Sequence, residues 1–67
     1  MQSVSIGRIV HLQTAEGSLP AMVVRVFSPT LVNLRVFLDR GGDGTRYETS
    51  VQEGPEIGQW HWPERTA

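Results

Sequence analysis

Between Pro20 and Asp39 the chain reads PAMVVRVF-SPTL-VNLRVFLD, two apolar runs joined by a proline turn. Alternation with period two puts successive side chains on opposite faces of an extended chain. Val32, Leu34, Val36 and Leu38 alternate with Asn33, Arg35, Phe37 and Asp39, a pattern that specifies a strand and excludes an amphipathic helix. In the run before the turn, Met22, Val24 and Val26 form an apolar face, and Val23, Arg25 and Phe27 a mixed one. Pro29 pre-sets φ for a tight turn within Ser28–Leu31, so the two runs fold back as an antiparallel hairpin. Charge selects the register. Val26 opposite Val32 sets Arg25 against Asn33 and Val24 against Leu34, whereas Val26 opposite Leu34 would set Arg25 against Arg35. Like charges directly opposite destabilise a ladder, so the first register is expected, with the even-numbered residues as core.

The other elements are arranged around this hairpin. A first strand is expected from Gly7 to Leu12, with Arg8, Val10 and Leu12 on one face and Ile9 and His11 on the other. Gln13 to Leu19 reads as a loop punctuated by Gly17 and Ser18. Pro20 has no N–H to give to a ladder and is expected to open the second strand. Arg40 to Thr45 is a glycine-rich connection in which Asp43-Gly44 suits a tight turn. A fourth strand follows from Arg46 to Val51, with Tyr47, Thr49 and Val51 on one face. Gly54, Pro55 and Gly58 leave room for at most one helical turn before a short strand, Gln59 to Trp62, that Pro63 stops. Residues 1–67 are read as a single small domain with frayed ends at 1–5 and 64–67. The expected fold is all-β: a small five-stranded SH3-like barrel in which the last strand returns beside the first and removes most of the exposed edge.

A chain of 67 residues without cysteine has neither disulfides nor thiolate metal sites to hold it. At this size folding buries only about 60% of the surface the unfolded chain exposes, which favours oligomerisation or a well-packed aromatic core. The formal net charge is −1, so no global field draws in nucleic acid or an anionic membrane. All six basic residues are arginine: Arg8, Arg25, Arg35, Arg40, Arg46 and Arg65. Arginine suits planar, bidentate contacts, although interspersed charge is also the ordinary pattern of a soluble surface. The first residues do not read as a signal peptide, and no apolar run approaches the ~18 residues of a membrane span.

Each candidate site has an ordinary structural alternative. Trp60 and Trp62 project from one face of a strand and can close the core, anchor an interface or stack on a ligand. His11 and His61 become neighbours if the last strand lies beside the first. Two imidazoles begin a metal site, but zinc takes three or four protein ligands, and a packed or interface histidine is the favoured reading. Asp39, Asp43 and Gly44 resemble part of a calcium loop, yet Ser50 stands where a bidentate glutamate is required. No nucleophile elbow, phosphate-binding glycine-lysine loop or HExxH motif is present. No catalytic, cofactor or metal residue is therefore assigned. The mixed face of the hairpin (Val23, Arg25, Phe27, Arg35 and Phe37) is the candidate partner surface, because apolar residues rimmed by arginine typify contact surfaces.

The segments Gly7-Arg8-Ile9-Val10-His11 and Trp60-His61-Trp62-Pro63-Glu64, with the hairpin and Gly41-Gly42-Asp43-Gly44 between them, resemble short proteins of tailed bacteriophages and prophages. The resemblance covers nearly the whole chain and implies a phage origin, a compact β fold and a place in the host cytoplasm or the virion. It implies no activity. The resulting expectation is a non-catalytic accessory protein acting by protein–protein contact, as a homo-oligomer, a virion or assembly component, or an inhibitor of a host factor. One alternative is a small nucleic-acid-binding barrel using Arg25, Arg35 and the tryptophans. Another is an oligomeric enzyme with a shared central pore, as in the plasmid-type dihydrofolate reductases, whose Val-Gln-Ile-Tyr stretch is missing here.

Overall fold

The computed structural model of the chain describes residues 4–39 and 44–63. Among them the chain forms strands β1 (Ile9–Thr14), β2 (Gly17–Val26), β3 (Leu31–Phe37), β4 (Thr45–Gln52) and β5 (Trp60–His61). They make one antiparallel sheet in the order β4-β3-β2-β1-β5. The all-β expectation holds, and β5 does lie beside β1. The expected SH3-like barrel does not: β4 and β5 are the two edges, and no ladder joins them. The physical reason is the length of β5. Its two residues pair with β1, His11 with His61 and Leu12 with Trp60. What links the sheet ends is a strap. Glu53 makes an isolated parallel bridge to Trp60, and the Gly54 N–H donates to the Trp60 carbonyl at 2.9 Å. The expected connection Arg40–Thr45 lies outside the described residues except for Gly44 and Thr45, where β4 already begins, and the expected frayed ends lie outside them except for Val4 and Ser5.

Two turns set the hairpins. Between β2 and β3, the Ser28 hydroxyl accepts from the Thr30 and Leu31 N–H groups at 3.3 and 3.1 Å, and closes the expected proline turn. Between β1 and β2 the expected seven-residue loop is instead a tight turn over Ala15 and Glu16, since Thr14 already pairs with Gly17. Thr14 closes it with its own side chain, donating to the Gly17 carbonyl at 2.6 Å and accepting from the Glu16 N–H at 3.1 Å. Gly17 has φ +117°, which a side chain would oppose. The second strand therefore starts at Gly17, and Pro20 lies inside it opposite His11. Pairing with β3 begins at the next residue, Ala21 with Val36, so the missing N–H breaks no bond in that ladder.

The register near the turn is the expected one, with Val26 opposite Val32 and Arg25 opposite Asn33. It then shifts. Val23, not Val24, faces Leu34, so Val24 is an extra residue, a β-bulge. A one-residue slip exchanges the two faces of a strand. Ala21 and Val23 are consequently core, while Met22 and Val24, expected inside, are exposed. A second bulge lies on the other side of β3, where Thr49 and Ser50 together oppose Asn33. Ser50 takes a left-handed φ of 54° there.

The core comprises Val10, Leu12, Ala21, Val23, Val32, Leu34, Val36, Val51 and Trp60, with Val4, Leu19, Val26, Leu38 and Trp62 packed around it. Trp60 is fully buried, and its indole N–H donates to the Thr30 carbonyl at 2.9 Å. Phe27 and Phe37, placed by the sequence on the mixed face of the hairpin, are exposed, and so is Tyr47. Short aliphatic side chains and one tryptophan fill this interior.

Candidate contact surface

The exposure of these aromatics defines the outer face of the sheet. Alternation along each strand and the ladder pairs place its residues in rows. One row runs Ile9–Met22–Arg35–Tyr47 across four strands, each residue the direct partner of the next. The adjacent row runs His61–His11–Pro20 from β5 to β2, and Phe37 pairs with Thr45 at its far side. Ile9 is 44% exposed, Tyr47 49%, and Met22 and Phe37 36% each. Toward the β2–β3 turn the face continues through Val24 and Arg25 to Phe27, which is half exposed.

Asn33 lies beneath this surface. It is the buried polar residue of the described chain, only 6% exposed. Its amide donates to the Tyr47 hydroxyl at 3.0 Å and its carbonyl oxygen accepts from the Ser50 N–H at 2.8 Å. Burying an amide without partners costs about 1–3 kcal/mol, and both ends of this one are satisfied. The Ser50 bond holds the bulge, and the Tyr47 bond lays the phenol ring across Asn33, where the Arg35 guanidinium stands 5.3 Å from the ring centre.

The electrostatics of the face are one-sided. The Arg25 guanidinium lies 5.1 Å from the Phe27 ring, which matches the placement of Arg35 over Tyr47. Such contacts contribute ~0.5–1 kcal/mol when exposed, and among the described residues neither guanidinium is in an ion pair. The ion pair among the described residues, Arg46 with Glu48, is elsewhere, in a cleft between β4 and the end of β1. Glu16 is in the β1–β2 turn, Asp39 beyond β3, and Glu53 and Glu56 after β4. The strand residues of the outer face therefore include no acid and no lysine. That cleft, lined by Leu12, Ala15, Arg46, Glu48 and Ile57 among others, holds about 140 Å³. Small-molecule sites occupy roughly 300–1,000 Å³.

Of the expected partner surface, Arg25, Phe27, Arg35 and Phe37 are exposed and share this face. Val23 is a correction: it is fully buried beside Leu34, because the bulge at Val24 turns it inward. Ile9, Met22, Val24 and Tyr47 are surface residues that sequence reasoning missed. Met22 and Val24 were hidden by the face exchange. Tyr47 carries no local signal, since its placement depends on Asn33 across the ladder. His11 and His61 are brought together, ring centres 5.7 Å apart. Trp60 is core, and Trp62 stands edge-on to it at 5.6 Å with Arg8 over its outer side. Among the described residues, no group of three or more His, Cys, Asp or Glu side chains is placed to hold a metal. Asp39 is exposed; Asp43 lies outside the described residues.

Comparison of the chain with protein-family models, curated proteins and solved structures finds no match in any of the three. The likeness to tailed-phage proteins thus has no support, and neither the bacteriophage origin nor the location inferred from it is retained.

Proposed function

We propose that the chain is a non-catalytic binding module that works by protein–protein contact through the outer face of its sheet. The observation that carries this reading is the exposure of Ile9, Met22, Phe37 and Tyr47 around Arg35 in adjacent ladder rows. Protein interfaces are enriched in Met, aromatic residues and Arg and depleted in Lys, Glu and Asp, and the face has that composition. Its edges are poor alternatives. Edge strands bind by adding a partner strand, but β4 is interrupted by the bulge at Thr49 and Ser50, and β5 has two residues.

The occupant is a second copy of the chain or another protein. Light scattering after size exclusion, from about 10 µM to 1 mM, tests the first. Self-association that disappears in the Met22→Ser/Phe37→Ser variant supports contact through this face, and association unchanged in it places the contact elsewhere. For another protein, a photo-crosslinking residue is placed at Phe37 and, as control, at Glu56. Adducts in native cells from the Phe37 position alone support the reading; adducts from neither position, with a monomeric wild type, sink it.

Nucleic acid is the second reading, favoured by the two guanidiniums over exposed rings. Arginine and aromatic side chains on a sheet also suit single strands. A labelled oligonucleotide that stays unbound at low salt, where electrostatic affinity peaks, removes it.

A further inference from the structure

The polar end of the outer face holds a grouping that the contact reading does not use. His11 on β1 and His61 on β5 are direct ladder partners, with rings at 83° and centres 5.7 Å apart. The Nδ1 of His61 lies 3.2 Å from the Trp62 carbonyl oxygen, and its Nε2 lies 3.1 Å from Ser18 Oγ. Ser18 in turn donates to Gln13 Oε1 at 3.0 Å. We propose that His11 and His61 are the nitrogen ligands of a divalent transition-metal site, with copper(II) the preferred ion and the Ser18 and Gln13 oxygens beside it.

Three features support the assignment. With the Ser18 proton on Gln13 and a proton on His61 Nδ1 donated to the Trp62 carbonyl, Nε2 and Ser18 Oγ face each other 3.1 Å apart as two lone pairs, an arrangement that a cation satisfies. A backbone carbonyl on the second ring nitrogen is the usual partner of a metal-binding imidazole, fixing its tautomer and orientation. The ladder supplies the second feature. Directly opposed residues have Cα atoms about 4.5–5.5 Å apart, so the ordering of two ligands is already met by the fold. Both rings are half-buried, with their centres 5.7 Å apart.

The donor set itself selects the ion. Two imidazoles with neutral oxygens, and neither thiolate nor carboxylate, match the nitrogen–oxygen sites of copper(II) and nickel(II), and copper heads the affinity order. Calcium and magnesium favour carboxylate-rich sites, and tetrahedral zinc takes three or four protein ligands. Water completes the shell of a two-histidine site. An ion held across β1 and β5 would also cross-link the edge strand, which is held in the ladder by β1 alone, so binding and stability are coupled.

The test is titration of the full chain with copper(II) at neutral pH, followed by paramagnetic resonance and thermal melting. The wild type should bind one ion with a spectrum showing two imidazole nitrogens. Its melting temperature should rise by roughly 10–20 °C at a hundredfold excess over Kd. His11→Gln and His61→Gln should each weaken binding at least ~30-fold, a loss in the range seen when a metal-site contact is removed. Circular dichroism monitors the fold of each variant, and if His61→Gln releases β5, His11→Gln alone decides. Copper binding in His11→Gln as tight as in the wild type overturns the proposal. So does a wild-type spectrum without imidazole nitrogen, or binding that leaves the melting temperature unchanged.

Discussion

The two faces of this sheet are built from different chemistry. The inner face is Val10, Leu12, Ala21, Val23, Val32, Leu34, Val36 and Val51 closed by Trp60, with every side chain at or near zero exposure. The outer face holds the chain's phenylalanines and tyrosine, with Met22, two histidines and the arginines of the hairpin. In a domain this small, each large aromatic could contribute 150–250 Å² of buried surface. Leaving Phe27, Phe37 and Tyr47 outside forgoes part of that stabilisation, and a partner that covers them would recover it. The difference separates the residues that hold the fold from those free to make contacts. Asn33 is where the two meet: it follows the outward alternation of Arg35 and Phe37, yet it is buried and ties the bulge of β4 to the sheet.

The strongest test of the comparison is Trp60→Ala. It removes the largest core side chain and the bond to Thr30, and truncations of this kind cost about 3–5 kcal/mol. A chain of this length has roughly 3–10 kcal/mol of stability, so the variant should lose a third of it or more, read as the largest drop in urea midpoint of any variant here. Asn33→Ala comes next. It strands the Ser50 N–H and releases the Tyr47 hydroxyl, and urea unfolding should show a loss of about 1–3 kcal/mol. A smaller change of opposite sign is expected from Ser50→Gly. Left-handed φ costs a side chain ~1–2 kcal/mol, partly offset by the entropy of glycine in the unfolded chain. Its net effect should be a rise of a few tenths to about 1 kcal/mol. Last, Met22→Ser/Phe37→Ser should shift stability by no more than about 1 kcal/mol, within ~0.5 for each exposed site, while abolishing contact through the face. A loss near that of Asn33→Ala or beyond it would show that these side chains support the fold, and the distinction between the faces would fail.

Much of the central hairpin was legible. The alternation of Val32, Leu34 and Val36, the proline turn and the opposition of Arg25 to Asn33 follow from period and charge, which are local quantities. The adjacency of His11 and His61 followed from counting strands and returning the last beside the first. The inward face of β2 was not legible. In sequence, Met22, Val24 and Val26 are as good a core stripe as Ala21 and Val23. Only the bulge at Val24 decides between them, and no glycine or proline marks it. The candidate surface inherited that ambiguity, losing Val23 and gaining Met22, Val24, Ile9 and Tyr47.

The sequence by itself determined an all-β chain without disulfides or thiolate metal sites, a central hairpin with its register at the turn, and arginine as its basic residue. These follow from composition, from period-two alternation and from the φ restriction of Pro29. Tertiary structure alone decided which face of β2 is buried, that the sheet stays open, and that the aromatics lie outside. Each of these depends on partners distant in sequence: the ladder on both sides of Asn33, the two-residue reach of β5, and the space left around Trp60. Contacts between distant residues select among arrangements that local pattern leaves equal.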